Sequence, residues 1–153
     1  MGKEKKCTLY KKYTSYKKCI PYLILAGFTF FFCWWFVGRH GIFGAKVDWL
    51  SQHSVLPDYF RQQFYATGKI FPEFAPNLGG GQNIYHFAYY GLYSPLILPS
   101  YLFPFVKMSD YIMVISITGL TVSVLLFYYW LKSRKMDTGV AFIISLMFLL
   151  AGP

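Results

Sequence analysis

The chain has 153 residues, of which 56% are hydrophobic, 22% aromatic and only 14% charged, with a formal net charge of +9. A water-soluble domain of this length cannot hide so much apolar surface, so an ordinary soluble fold is excluded. The positive residues flank apolar runs and make no binding face with interleaved readout groups, so nucleic acid is not an expected partner.

Residues 1–19 form a basic segment, with Lys3, Lys5, Lys6, Lys11, Lys12, Lys17 and Lys18 against Glu4 alone. Residues 20–37 carry no charge. At about 1.5 Å per residue such a helix spans roughly 27 Å, close to the roughly 30 Å hydrocarbon core, and a first membrane helix is predicted over 20–38. A signal peptide starts in the same way, but its apolar region covers only about 7 to 15 residues. Here the run leads into Gly38-Arg39-His40-Gly41 without a good small-x-small cleavage site, and a retained anchor is the expectation. Cys7, Cys19 and Cys33 have neither metal-ligand spacing nor a disulfide framework. Cys7 and Cys19 are expected to stay reduced in the cytosol. Cys19 sits where palmitoylation can occur, although an inert thiol is the simpler reading.

Residues 39–110 are nearly balanced in charge, with Arg39, Lys46, Arg61, Lys69 and Lys107 against Asp48, Asp58, Glu73 and Asp110. They contain no repeat or low-complexity linker, and so long a connection is usually functional. Pro57 suits a first helical position, Asp58 the positive first turn and Gly68 a terminator, which predicts a short helix from about 57 to 67. Leu56, Phe60 and Phe64 then share one face, with Asp58, Arg61 and Gln62 on another, as in a helix lying along a membrane surface. Pro72, Pro76 and Gly79-Gly80-Gly81 break regular structure, and the triplet lacks the lysine and hydroxyl residue of a phosphate-binding loop. Asn77, Gln82, Asn83, Tyr85, His86, Tyr89 and Tyr90 concentrate amides and rings in a short space. Sugars are bound by that combination, since rings cover C–H faces while amides pair with hydroxyls. An interfacial aromatic belt with polar turns is the competing reading. Residues 92–106 are apolar but interrupted by Pro95, Pro99 and Pro104, and are predicted to form an interfacial or re-entrant segment.

Residues 111–131 are again uncharged and span roughly 31 Å as a helix, giving a second membrane helix. Lys132, Arg134 and Lys135 follow in a turn over 132–137, and residues 138–153 begin a third helix that stops short of a comfortable span, which reads as truncation. The two basic segments together hold ten basic and two acidic residues. The positive-inside rule then predicts a multi-pass cell-membrane protein with a cytoplasmic N-terminus, an extracytoplasmic loop at 39–110 and a cytoplasmic turn at 132–137. The expected fold class is all-α integral membrane, the N-terminal fragment of a multispanning helical domain with a large first external loop.

The stretch Val47-Asp48-Trp49-Leu50-Ser51-Gln52-His53, with Pro57-Asp58-Tyr59-Phe60-Arg61-Gln62, Leu78-Gly79-Gly80-Gly81-Gln82-Asn83-Ile84-Tyr85, Tyr89-Tyr90-Gly91-Leu92 and Ser94-Pro95, resembles the YfhO family of bacterial membrane proteins. That family looks like the superfamily C (GT-C) glycosyltransferases, many-helix proteins several times longer than this chain. The resemblance implies sugar transfer outside the cytoplasmic membrane, from a polyprenyl-phosphate donor to a cell-envelope glycopolymer such as lipoteichoic or wall teichoic acid. In that superfamily the first external loop supplies an acid, and Asp48 occupies its place. A carboxylate there would take the proton of the acceptor hydroxyl while cations stabilise the departing phosphate. Arg61, His53 and Lys46 are the nearest cations, with Lys46 read as a surface contact, and Gln82, Asn83 and Tyr85 are the expected substrate contacts. Asp58 is adequately explained by the helix start, and Glu73 has no assigned role. No metal or other cofactor is expected. A non-catalytic membrane component or transporter that binds a glycolipid is the alternative, and 153 residues alone are expected to be inactive.

Overall fold

The computed structural model describes residues 2–91 and 93–151, with side chains described from Lys18 onward. The expectations for Cys7, for the lysines before Lys18 and for Leu92, Gly152 and Pro153 fall outside the described residues. The fold is all-α in character, and its sole ladder among the described residues joins two short strands. It divides into two compact units, one of Met1–Phe36 with Ile117–Pro153 and the other of Val37–Ser116.

The first unit holds α1 (Gly2–His40) up to Phe36, α4 (Met108–Ser133) from Ile117 onward, and α5 (Thr138–Leu150). Lys18–His40 and Met108–Ser133 are long and apolar enough to cross a membrane, yet only 17% of each apolar window is buried. A core helix of a soluble protein would be mostly buried, whereas a spanning helix leaves its apolar sides to lipid. Leu25, Val124, Tyr128, Leu131, Ala141 and Leu149 form the core, where the Tyr22 and Tyr128 rings meet edge to face at 4.8 Å. The hydroxyls of Thr29, Thr121 and Ser145 each donate to the carbonyl four residues back, at 2.8 Å. That satisfies them without water, as an apolar setting requires. In the turn after α4, the Lys132 ammonium donates to the Met136 carbonyl and the Thr138 hydroxyl, while the Asp137 carboxylate caps α5 by accepting from the amides of Gly139 and Val140.

The second unit packs around Leu56, Phe60, Ala75, Ile84 and Tyr101. Its helical arm consists of α2 (Lys46–Asp48), a π-turn at Trp49–His53 and α3 (Val55–Thr67). The π-turn has a local cause. Pro57 offers no N–H to the His53 carbonyl and its ring crowds that carbonyl, so the preceding turn widens and the Ser54 amide reaches back to Trp49 at 3.1 Å. α3 ends at Gly68, whose φ of 71° is a left-handed cap that favours glycine. Beyond it, β1 (Phe74–Ala75) and β2 (Gln82–Asn83) pair antiparallel around the Gly79-Gly80-Gly81 bend, where all three φ angles are positive. A 3₁₀ stretch at Ile84–Tyr90 follows.

One detail differs from the sequence reading. Arg61, expected on the polar face of α3, is buried, because its Nη1 donates to the carbonyls of Phe103 (3.2 Å) and Val106 (2.8 Å) and its Nη2 pairs with Asp58 at 2.7 Å. The proline-interrupted segment contains one short 3₁₀ stretch, Leu98–Leu102, and is otherwise turns, since three prolines remove the donors a longer helix needs.

Candidate functional site

The carboxylate-bearing corner begins where α1 ends. Gly41 and Gly44 take positive φ, and the Gly44 backbone passes so near Trp49 that a Cβ there would lie 3.0 Å from the indole. Trp49 is thereby buried as an anchor, while Asp48, its neighbour at the end of α2, stays exposed. Asp48 ends α2, and the wide turn that follows carries both Gln52, four residues on, and His53.

Tyr90, distant in sequence, closes this corner. Its hydroxyl donates to the Gln52 side-chain carbonyl, and its ring lies 5.9 Å from the His53 imidazole and 4.2 Å from Tyr89. The Tyr90 phenol is held above its ordinary pKa, first by hydrogen bonding with the Tyr89 hydroxyl, then by burial and by negative charge at Tyr89 and Asp48. Tyr90 therefore stays a neutral O–H donor near a carboxylate. Gln52 was given no role from sequence, and Tyr90 was singled out only as one ring of the amide and aromatic cluster between Asn77 and Tyr90. The four-residue spacing from Asp48 could have found Gln52, but nothing local distinguishes Tyr90 from Tyr89.

The amide residues serve a different place. The Asn83 side-chain carbonyl accepts from the Tyr85 amide at 2.9 Å and caps the 3₁₀ stretch, while the Gln82 amide lies over the glycine bend, 3.5 Å from the Leu78 carbonyl. Tyr85 stacks on Tyr93 with planes only 4° apart, and Phe71 meets Tyr93 at 4.9 Å. Tyr85, Tyr93 and Phe71 are all exposed, so the stack offers ring faces to solvent. Burial, followed by hydrogen bonding with Tyr85, pushes the Tyr93 phenol pKa up.

Arg61 belongs to a third location, a cavity of about 350 Å³ lined by residues including Ser54, Asp58, Arg61, Lys107 and Ser109. Asp48 does not line it. Three of the five guanidinium donors are engaged by the two carbonyls and Asp58. Thus His53 follows Asp48 on the same helical stretch and meets Tyr90; Gln82, Asn83 and Tyr85 are gathered around the hairpin; and Arg61 lines a cavity that Asp48 does not.

Neither a search of curated proteins nor one of solved structures finds a match. A family described as "Bacterial membrane protein YfhO" matches residues 18–152, nearly the whole chain and all three apolar helices from the start of the first span. With two weakly buried apolar helices of membrane length, this places the protein in a membrane and in contact with the bilayer. The chain belongs to the YfhO family of bacterial membrane proteins.

Proposed function

We propose that this chain contributes the first external loop of a membrane glycosyltransferase that moves a sugar from a polyprenyl-phosphate donor to an extracytoplasmic envelope glycopolymer. The observation that carries the reading is the exposed corner at Asp48, where a carboxylate, the Gln52 amide, the His53 imidazole and the neutral Tyr90 hydroxyl converge on one short helical stretch. Asp48 acts as the general base that takes the acceptor proton as the hydroxyl attacks the anomeric carbon. His53 is a nearby group able to carry positive charge or donate a hydrogen bond toward the departing phosphate, and Arg61 retains two donors for an anionic oxygen at its own cavity. The exposed rings of Tyr85 and Tyr93 supply a surface for the C–H face of a sugar, with Gln82 and Asn83 at its edge.

The test is sugar transfer by the purified full-length protein. General-base catalysis contributes about a hundred- to ten-thousand-fold, so Asp48→Asn should lose at least the lower factor while preserving shape. Asp58→Asn, altering an ion pair with Arg61, should lose far less activity. Near-normal turnover in Asp48→Asn excludes the assignment, and no turnover in any form of the protein turns the reading toward glycolipid binding without chemistry. The proposed orientation, with the N-terminus and the 132–137 turn cytoplasmic and residues 39–110 outside, is tested separately. A cysteine introduced at Asn77 should react with an impermeant thiol reagent in intact cells, and one at Ser133 should not.

A further inference from the structure

Residues 96–105 form a segment with two unlike sides. Toward the core, Ile97, Ser100 and Tyr101 are buried and Leu98 packs against the cluster around Phe60. On the other side Leu96, Leu102, Phe103 and Phe105 are 58%, 76%, 43% and 82% exposed. The segment is fastened in this attitude, since Arg61 holds the carbonyls of Phe103 and Val106 and the Tyr111 hydroxyl donates to the Leu96 carbonyl at 2.8 Å. These bonds keep the outer apolar side chains from folding inward.

Two observations identify what covers them. α4 begins at Met108, three residues beyond Phe105, so the chain can carry Phe105 no more than about 11 Å from the first residue of a membrane helix. Tyr111 lies in the first turn of that helix, so its bond brings Leu96 to the same level. Much of the segment's backbone also finds its hydrogen bonds within the chain. The amides of Leu96, Ile97, Leu98, Ser100, Phe103 and Val106 all have acceptors within the chain, while Pro99 and Pro104 have no N–H to satisfy. A loop in water has no need of this, whereas one at the edge of the hydrocarbon does.

We propose that Leu96, Leu102, Phe103 and Phe105 form an apolar ridge inserted among the acyl chains of the bilayer beside the first turn of α4. The ridge anchors the inter-span unit to the membrane surface from which α4 departs. It rests on the membrane placement of α4 and not on the glycosyltransferase reading, and it holds for either orientation of the chain.

The experiment places single nitroxide labels on the full chain in phosphatidylethanolamine–phosphatidylglycerol vesicles, after replacement of Cys7, Cys19 and Cys33 by alanine. Leu102→Cys and Phe105→Cys should be relaxed strongly by oxygen, which concentrates in acyl chains, and weakly by a water-soluble nickel chelate. Glu73→Cys, exposed in the same unit, should show the reverse order. Strong nickel relaxation at 102 and 105 overturns the proposal by placing the ridge in water. Weak relaxation by both reagents overturns it too, by showing that protein covers the ridge. Leu96→Cys provides a third reading with the same criteria if either of the other variants fails to insert.

Discussion

The membrane-spanning unit and the inter-span unit are specified in different ways. In the first, order comes from long apolar helices whose backbone bonds close within each helix, and even the polar side chains Thr29, Thr121 and Ser145 bond to their own helix. Many substitutions preserve such a design because no single side chain fixes the shape. In the second, irregular backbone is tied by side chains reaching far along the sequence, among them Arg61 to Phe103 and Val106, Tyr90 to Gln52, and Tyr65 to the Tyr101 carbonyl. A unit built in this way is open to disruption at single positions, and the residues proposed for function lie in it.

Truncation in the centre of the inter-span unit should break the comparison most visibly. Phe60 is fully buried there, and Phe60→Ala should cost about 3–5 kcal/mol from lost contacts and a residual cavity. Leu126→Ala on α4, whose side chain is largely exposed, should change stability by about 0.5 kcal/mol or less. Hydrogen exchange of the α3 and α4 amides in detergent measures both. Similar losses at the two positions would remove the distinction between the units.

Arg61 sharpens the point because its contribution comes from reach and geometry as well as charge. Arg61→Met removes the guanidinium from the Val106 carbonyl, from the Phe103 carbonyl, which keeps the Val106 amide, and from the Asp58 carboxylate, which keeps the Gln62 amide, and should cost about 2–4 kcal/mol of local stability. Arg61→Lys should recover only part, since an ammonium cannot reproduce the planar fork. Faster proteolysis of the 98–107 region, with the spanning helices still protected, is the expected result. A smaller effect is expected of Tyr111→Phe, which frees one carbonyl at the edge of the same segment and should cost about 0.5–1.5 kcal/mol, read as increased exchange between 96 and 106.

The same difference explains what could be read in advance. The apolar runs at 20–37 and 111–131 were legible because a helix is a local structure, although the helices extend further, to His40 at one end of α1 and from Met108 to Ser133 in α4. Charged residues end an apolar run without ending a helix, since long basic side chains can extend toward the interface. Gly68 was legible as a terminator because the left-handed cap is a property of glycine itself. Burial of Arg61 was not, since its acceptors lie 42 and 45 residues away and are carbonyls that any residue type could provide. At the candidate site, the resemblance pointed to Asp48 and His53, but the Tyr90–Gln52 bond spans 38 residues and leaves no local pattern. Gln82 and Asn83 showed their chemistry in sequence, but not that Asn83 caps the turn it begins.

The smallest expected effect concerns the polar side-chain cap that Asp137 supplies in the spanning unit. The Asp137 carboxylate accepts from the Gly139 amide at 2.8 Å and the Val140 amide at 3.3 Å, and its pKa is lowered by the Val140 bond first, then by Gly139, with the Lys132 ammonium a minor contributor. Because the folded pKa lies below the unfolded one, the stabilisation is fully present above the ordinary aspartate value of about 3.9 and is lost as pH falls through the folded value. Loss of the charge also removes a favourable interaction with the positive end of α5. Protection of the Gly139 and Val140 amides, corrected for intrinsic exchange, should therefore fall on acidification in the native chain. Asp137→Asn keeps a capping carbonyl and should give protection nearly independent of pH over that range, whereas Asp137→Ala should lower it at every pH. If the native chain and Asp137→Asn follow the same pH profile, the charge of Asp137 is not what holds the start of α5, and the spanning unit depends still less on individual side chains than its hydrogen bonds imply.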